Sequence, residues 1–233
     1  MWKGKNKALT FSFDDGVTQD VRLIGILDKY GLKATFNVNS SLFGLKGKVY
    51  PFVGKEAEHN KIRPDKVAEV YKNHELAAHT LTHPTLTGVD DQTIAYQVEE
   101  DRLAIERITG RPCVGMAYPG GGVNNDDRVA KVIREKTGVK FARTITPTYS
   151  FDLQENLYRF NPTLDYMDGR LFETAERFLK LKADKPQLFY VWGHSYELDV
   201  GPLGWEGFEE FCKLVSGKDD IFYGVNSEIL LDK

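Results

Sequence analysis

Short β-rich apolar runs recur along this chain with helix-patterned stretches between them, and that alternation constrains the fold more than anything else in the sequence. It is the mark of repeated βα units, which build a mainly parallel sheet covered by helices. Eight runs qualify: 8–13, 33–38, 75–79, 113–118, 139–145, 157–163, 187–192 and 221–225. Between them, Val21, Ile24 and Leu27 before Gly31 predict an amphipathic helix with a glycine stop, and residues 91–109 before Gly110 predict a second. Residues 126–136, 170–182 and 208–215 supply three more. Eight strands with intervening helices place the chain in the α/β class and favour a closed β/α barrel over an open doubly wound sheet. Residues 40–63 are rich in Gly and Lys and lack periodicity, so they read as an insertion within one domain spanning 1–233.

Charge and cysteine content narrow the partners. With 31 basic against 34 acidic residues the formal charge is −3, which leaves no electrostatic footprint for nucleic acid or an anionic membrane. Cys113 and Cys212 belong to no CxxC pair and are expected as buried free thiols rather than a zinc ribbon or redox motif. Met1 to Lys7 run straight into the first apolar strand, leaving no secretory apolar region or membrane span. The expectation for the chain as written is therefore a cytoplasmic protein, or an exported one if a leader has been removed. Oligomeric state is not legible.

The chemistry-bearing residues cluster at the C-terminal ends of the expected strands. Asp14 and Asp15 follow the run ending at Phe13, and Gly16 then permits a sharp turn. His79 and His83 have the i, i+4 spacing that lets one turn of chain aim two imidazoles at one cation. His194 follows Trp192 and Gly193, and an imidazole there is suited to proton transfer near neutral pH. Pro119 to Gly122 forms a glycine-rich loop whose backbone N–H groups can approach an oxyanion. Each block alone is common in turns and helix faces, but in a parallel barrel all of them share the face where active sites are built. His59, in the insertion, and His74, before the third strand, are assigned to the structural background.

Taken in order and spacing, these blocks resemble the polysaccharide deacetylase family, also called the NodB-homology or carbohydrate esterase family 4 fold. Phe11 to Gly16 (FSFDDG) is similar to its first motif, His79 to His83 (HTLTH) to its second, Ala117 to Gly120 (AYPG) to a variant of its third, and Trp192 to His194 (WGH) to its last. The resemblance implies a single distorted β/α barrel of seven or eight strands and a hydrolase that removes N-acetyl groups from an acetylated amino sugar or polysaccharide. It implies that Asp15, His79 and His83 hold a divalent metal, zinc or another ion such as cobalt, with Asp14 as general base and His194 as general acid. The Gly120 backbone then stands at the oxyanion, and Tyr118, Trp192 and Tyr196 are expected against the substrate.

Two departures qualify the resemblance. The family's third motif carries an arginine where this chain has Ala117, so the charge beside the base must come from another strand, with Arg143 the first candidate and Arg159 the second. The second is Gly120, where the family often has tyrosine, although a backbone N–H survives that change; a recognisable fourth motif is also absent, with Asp165 and Asp168 as loose candidates only. Two other readings stay open at this point: a related amidohydrolase acting on a small or cyclic amide, and a catalytically impaired carbohydrate-binding protein.

Overall fold

The computed structural model describes residues 1–232. Along the chain the elements are β1 (Lys7–Asp14), α1 (Asp20–Lys29), β2 (Ala34–Val38), β3 (Lys48–Phe52), β4 (Lys55–Glu58), α2 (Val67–Val70), β5 (Glu75–Ala78), α3 (Asp91–Thr109), β6 (Gly115–Ala117) and α4 (Asp127–Lys136). They continue through β7 (Phe141–Arg143), β8 (Leu164–Asp165), α5 (Leu171–Lys180), β9 (Gln187–Gly193), α6 (Gly204–Val215), β10 (Ile221–Tyr223) and α7 (Asn226–Leu230). Seven strands lie side by side in the order β7-β6-β5-β2-β1-β9-β8, and β10 pairs with the start of β1. Every pairing in this sheet is parallel. The result is a mainly parallel half-barrel covered by helices, the distorted β/α barrel that the family resemblance implies rather than the closed one the alternation favours.

Strand β1 shows why the barrel forms and where its site goes. Side chains alternate across a strand, so Leu9, Phe11 and Phe13 share one face and Thr10, Ser12 and Asp14 the other. The first set is apolar and packs outward on the helices, with Phe11 edge-on to Phe208 and Phe211 of α6 and Phe13 edge-on to Phe208. The second set points into the barrel and is hydrogen-bonded there. Thr10 Oγ1 donates to Asn226 Oδ1 at 2.9 Å, and Ser12 Oγ accepts from Asn37 Nδ2 at 2.8 Å. Both faces are buried, so β1 carries no polar alternation toward solvent, as expected for a central parallel strand. The helices are punctuated by their sequence. The Asp90 carboxylate caps α3 by accepting from Thr93 N at 2.7 Å, and Gly110 ends it at φ 67°. Asp126 caps α4 through Val129 N in the same way.

Two further sequence expectations are corrected. The sixth run, 157–163, is not a strand. Asn156 caps a short 3-10 turn at Leu157–Arg159, Pro162 removes a ladder donor, and regular pairing begins only at Leu164. The segment still closes the wall between β7 and β9. Phe160 N donates to Ala142 O at 3.0 Å, Thr144 N to Phe160 O at 2.9 Å, and Thr163 N to Tyr190 O at 2.8 Å. The insertion at 40–63 holds an antiparallel hairpin, β3 with β4. Its strands bury only Ala57, with Val49 half-buried opposite it, so they leave no apolar periodicity to read. No helix among the described residues is long and apolar enough to cross a membrane. Cys113 and Cys212 are buried free thiols.

Candidate metal and proton-transfer centre

Because the sheet is parallel, its strand ends meet at one mouth. Asp14 and Asp15 leave β1, His79 leaves β5, Tyr118 leaves β6, Arg143 ends β7 and His194 leaves β9. They surround a cavity of about 430 Å³ lined by Asp14, Asp15, His79, His83, Gly120 and His194, with Tyr118, Ile145, Trp192 and Tyr196 supplying much of its apolar wall. Of the residues named in the sequence analysis, Asp14, Asp15, His79, His83, Tyr118, Gly120, Trp192, His194 and Tyr196 line this mouth, and Arg143 stands behind Asp14.

Asp15, His79 and His83 each offer one ligand atom, and these atoms lie within 4.8 Å of one another. Burial is the largest influence on His79 and brings its imidazole down to about 4, so it is neutral at pH 7. Its Nδ1 lies 2.9 Å from Ala117 O, which fixes the proton on Nδ1 and leaves the Nε2 lone pair for a metal. His83 is lowered as well, again through burial. Burial pushes the Asp15 carboxyl up, but contacts from His59 and Lys61 outweigh it and hold Asp15 well below the ordinary carboxylate range. Two neutral imidazoles and one carboxylate are the donor set of a zinc or similar divalent site, so the residues fit the implied ion. The backbone here is unusual: Asp15, Thr80 and His83 have φ of 84°, 67° and 61°. Non-glycine residues at such angles carry strain that the surroundings must hold in place. The Asp101 carboxylate does part of that holding, accepting from His79 N at 2.9 Å and from Ser40 N at 2.7 Å.

Asp14 is buried beside Arg143, which is fully buried. Both Asp14 oxygens accept from Arg143 Nη2, and Oδ1 also accepts from Asn37 Nδ2 at 2.8 Å. Burial alone would raise this carboxyl. The guanidinium, aided by His79 and His194, overcomes burial and keeps it below its usual value, so Asp14 is ionised at neutral pH. The rest of Arg143 is satisfied by Ser12 Oγ and Thr144 O, and its guanidinium stacks over Trp192 at 4.5 Å. Arg143 pairs in register with Ala117, so the guanidinium comes from the strand next to the position where the family's arginine is expected. Arg159 is directed elsewhere, to Asp127 and Asn125.

The position of His194 follows from Gly193. A Cβ there would come within 1.8 Å of the Tyr166 ring, and Tyr166 Oη donates to His194 O at 2.5 Å. Burial disfavours a charged imidazole, but Glu197, with Nδ1 3.3 Å from Oε1, and the two aspartates outweigh it and push His194 up to about 10. It is an imidazolium at neutral pH. Asp165 stands near this pair, its carboxyl raised to about 7 by burial and by Glu197. Asp168 lies outside the cluster and pairs with Arg170.

The remaining expected contacts differ in what they offer. The Tyr118 hydroxyl donates to Tyr158 O at 2.7 Å, so it is occupied. Tyr196 lies between two imidazoles, 5.1 Å from the His194 ring and 5.1 Å from that of His59. His59 is a correction. Expected as structural background, it lies 3.1 Å from Asp15 Oδ2 through Nε2 and lines the cavity. Its distance in sequence from both aspartates left no signal, and neither did that of Lys61, Asn37 or Asn39. His74 does stay outside the site, its Nδ1 accepting from Ala34 N at the other end of β2.

Beneath the centre, Asp20 is fully buried and accepts from Ser195 Oγ at 2.5 Å and Tyr71 Oη at 2.6 Å. Burial raises its carboxyl from 3.8 to about 7. In the unfolded chain Asp20 loses its proton near pH 4, whereas the folded protein keeps it to about pH 7. Between those values the native state binds more protons, so stability falls as pH rises and levels off above about 7. A shift of about three units corresponds to roughly 4 kcal/mol. Denaturation of Asp20→Asn and wild type at pH 4 and pH 8 should show the variant gaining, relative to wild type, on that order. An unchanged difference between the two pH values would remove the assignment.

The strand-end site of this β/α barrel is a candidate divalent-metal centre. The sequence signature of polysaccharide deacetylases matches residues 3–142, more than half of the chain. The chain belongs to the polysaccharide deacetylase family. A search of curated protein sequences found no match. Among solved structures it is similar to a mutant of the peptidoglycan deacetylase PdaC from Bacillus subtilis, at 17% identity and a TM-score of 0.56, over 97% of this chain and 91% of that one. It is also similar to the Streptococcus pyogenes deacetylase PplD in complex with acetate, at 20% identity and a TM-score of 0.52, over 64% and 61% of the two chains. BA3943 of Bacillus anthracis, a pseudoenzyme of the CE4 family, matches at 18% identity and a TM-score of 0.55, over 97% and 66%. At these identities the likeness establishes the fold, and family membership supports a deacetylase acting on an acetylated carbohydrate.

Proposed function

We propose that this protein is a metal-dependent N-deacetylase of acetylated amino sugars, and one observation carries the reading. The Asp15–His79–His83 donor set opens on the same cavity as an ionised Asp14 and a protonated His194. Two groups with opposite protonation at neutral pH are the division of labour that amide hydrolysis needs, whereas a binding protein has no use for it. Asp15, His79 and His83 would hold the divalent ion, zinc or another such as cobalt, which when bound lowers the pKa of water and polarises a carbonyl.

The other roles belong to the chain itself. Asp14, kept ionised by Arg143, accepts the proton of the attacking water. His194 donates a proton to the amide nitrogen, which leaves poorly until protonated. The Gly120 backbone N–H is the oxyanion donor, and Trp192, Tyr118 and Tyr196 form the apolar wall against the acetylated sugar.

Acetate release from N-acetylglucosamine oligomers by metal-stripped protein, with and without zinc or cobalt, tests the activity. His79→Ala should lose both metal and rate, while His194→Ala should keep its metal and lose about 10²- to 10⁴-fold in kcat. Equal metal loss in the two variants would reverse the roles. Stoichiometric metal binding without acetate release would redirect the search to another amide substrate.

A further inference from the structure

The insertion contributes a buried cation to the centre. After β4 the chain returns along the loop that follows β1: Ile62 N donates to Gly16 O at 2.9 Å, Thr18 N to Asn60 O at 2.8 Å, and Lys61 forms a bridge with Val17. This brings the Lys61 side chain, 5% exposed, against Asp15. Its Nζ donates to Asp15 O at 2.7 Å, Asp15 Oδ1 at 3.2 Å and Asn39 Oδ1 at 3.4 Å. An ammonium has three donors, and three acceptors surround this one. Asn39 passes the connection on, its Nδ2 donating to His79 O at 2.6 Å and Thr80 O at 2.9 Å. Lys61 is therefore tied to both backbone segments with left-handed φ and to the carboxylate itself. Asp15 Oδ1, which faces Lys61, is also the oxygen 3.9 Å from His83 Nε2.

We propose that Lys61 is a built-in counter-cation of Asp15, holding this carboxylate and its strained backbone in place in the metal-free protein and weakening the hold on a divalent metal. The inference rests on the assignment of Asp15, His79 and His83 as metal ligands. A carboxylate removed from water needs a compensating charge, and Lys61, with Nζ 3.2 Å from Asp15 Oδ1, supplies one. A divalent ion held by the same carboxylate adds its charge to a poorly screened neighbourhood that already contains an ammonium, so the two cations oppose each other. Binding and charge compensation are then linked: removing the ammonium makes the metal-free protein less stable and the metal tighter. A purely structural strut predicts the opposite for metal, because loosening the ligands weakens binding.

The test measures zinc affinity by competition with a chromophoric chelator, and melting temperature with and without zinc, for wild type, Lys61→Gln and Lys61→Arg. Lys61→Gln removes the charge and keeps a hydrogen-bond donor. Its zinc Kd should fall about tenfold or more, corresponding to roughly 1.4 kcal/mol per decade. Its metal-free melting temperature should drop, and zinc should raise it by more than in wild type. Lys61→Arg should stay near wild type in both readouts. Zinc binding by Lys61→Gln that is equal to or weaker than wild type overturns the proposal, provided that wild type binds one zinc. Wild type binding no zinc, or His79→Ala binding it as well as wild type, overturns the ligand assignment instead. Folding of Lys61→Gln only when zinc is present counts as the expected result. If it folds under neither condition, Lys61→Met repeats the comparison, and failure of both neutral variants with zinc present overturns the proposal, since a metal that replaces the missing charge rescues them.

Discussion

Asp14→Asn should lower kcat for acetate release by about 10³-fold or more while leaving the bound metal in place, at a cost in stability because the buried Arg143 guanidinium loses its counter-charge. The substitution is nearly isosteric, and an amide oxygen still accepts from the Arg143 guanidinium and from Asn37 Nδ2, the partners of the Asp14 carboxylate. What disappears is the ability to take a proton from water. Because Asp15 and the two imidazoles are untouched, metal content measured on the purified variant separates loss of the base from loss of the centre. A variant that keeps more than about a tenth of wild-type kcat would remove Asp14 from the role of base, since a positioned general base contributes at least 10²-fold. The site would then depend on its metal ligands and His194 alone.

Arg143→Met is expected to have the largest effect on stability, about 3 to 5 kcal/mol, because it leaves the Asp14 carboxylate buried without its partner. It should change the pH dependence too. Burial pushes Asp14 up and Arg143 is the main group pulling it down, so without the guanidinium the carboxyl keeps its proton to higher pH. The acid limb of kcat/KM should therefore move toward alkaline pH, and raising the pH should restore part of the lost rate. A variant that only unfolds more easily would lose rate without that displacement. Arg143→Lys, which keeps the charge but not the fork geometry, should fall between the two. The profile of kcat/KM against pH, together with chemical denaturation, checks both halves of this prediction.

The route by which Arg143 reaches Asp14 shows the limit of reading the chain alone. The sequence shows an arginine missing at Ala117 and, among those downstream, offers Arg143 first and Arg159 second, without showing which one reaches Asp14. Parallel register chooses: Ala117 and Arg143 face each other across β6 and β7, so the neighbouring strand delivers a guanidinium to the same depth in the barrel. Arg159 ends the 3-10 turn where a strand was expected and is spent on Asp127. The hairpin of β3 and β4 is a similar case. Its strands bury only Ala57, opposite the half-buried Val49, too little to set up a period, yet the segment that follows them brings His59 and Lys61 to Asp15. A hydrogen bond formed after a chain reversal leaves no trace in local patterning.

By itself, the sequence determined what depends on neighbours along the chain. It set the succession of strands and helices through apolar periodicity, the caps at Asp90, Asp126 and Gly110, and the local motifs that bring Asp14, Asp15, His79, His83 and His194 to strand ends. It could do so because strand and helix periods, capping and turns act over a few residues. The tertiary structure alone decided which charges meet. The Asp14–Arg143 pair, the Lys61 and His59 contacts on Asp15 and the Glu197 carboxylate beside His194 all depend on strand order, register and burial. Those pairings set the ionisation of the site, because electrostatic interactions act through space and strengthen where water is excluded, whatever the separation along the chain.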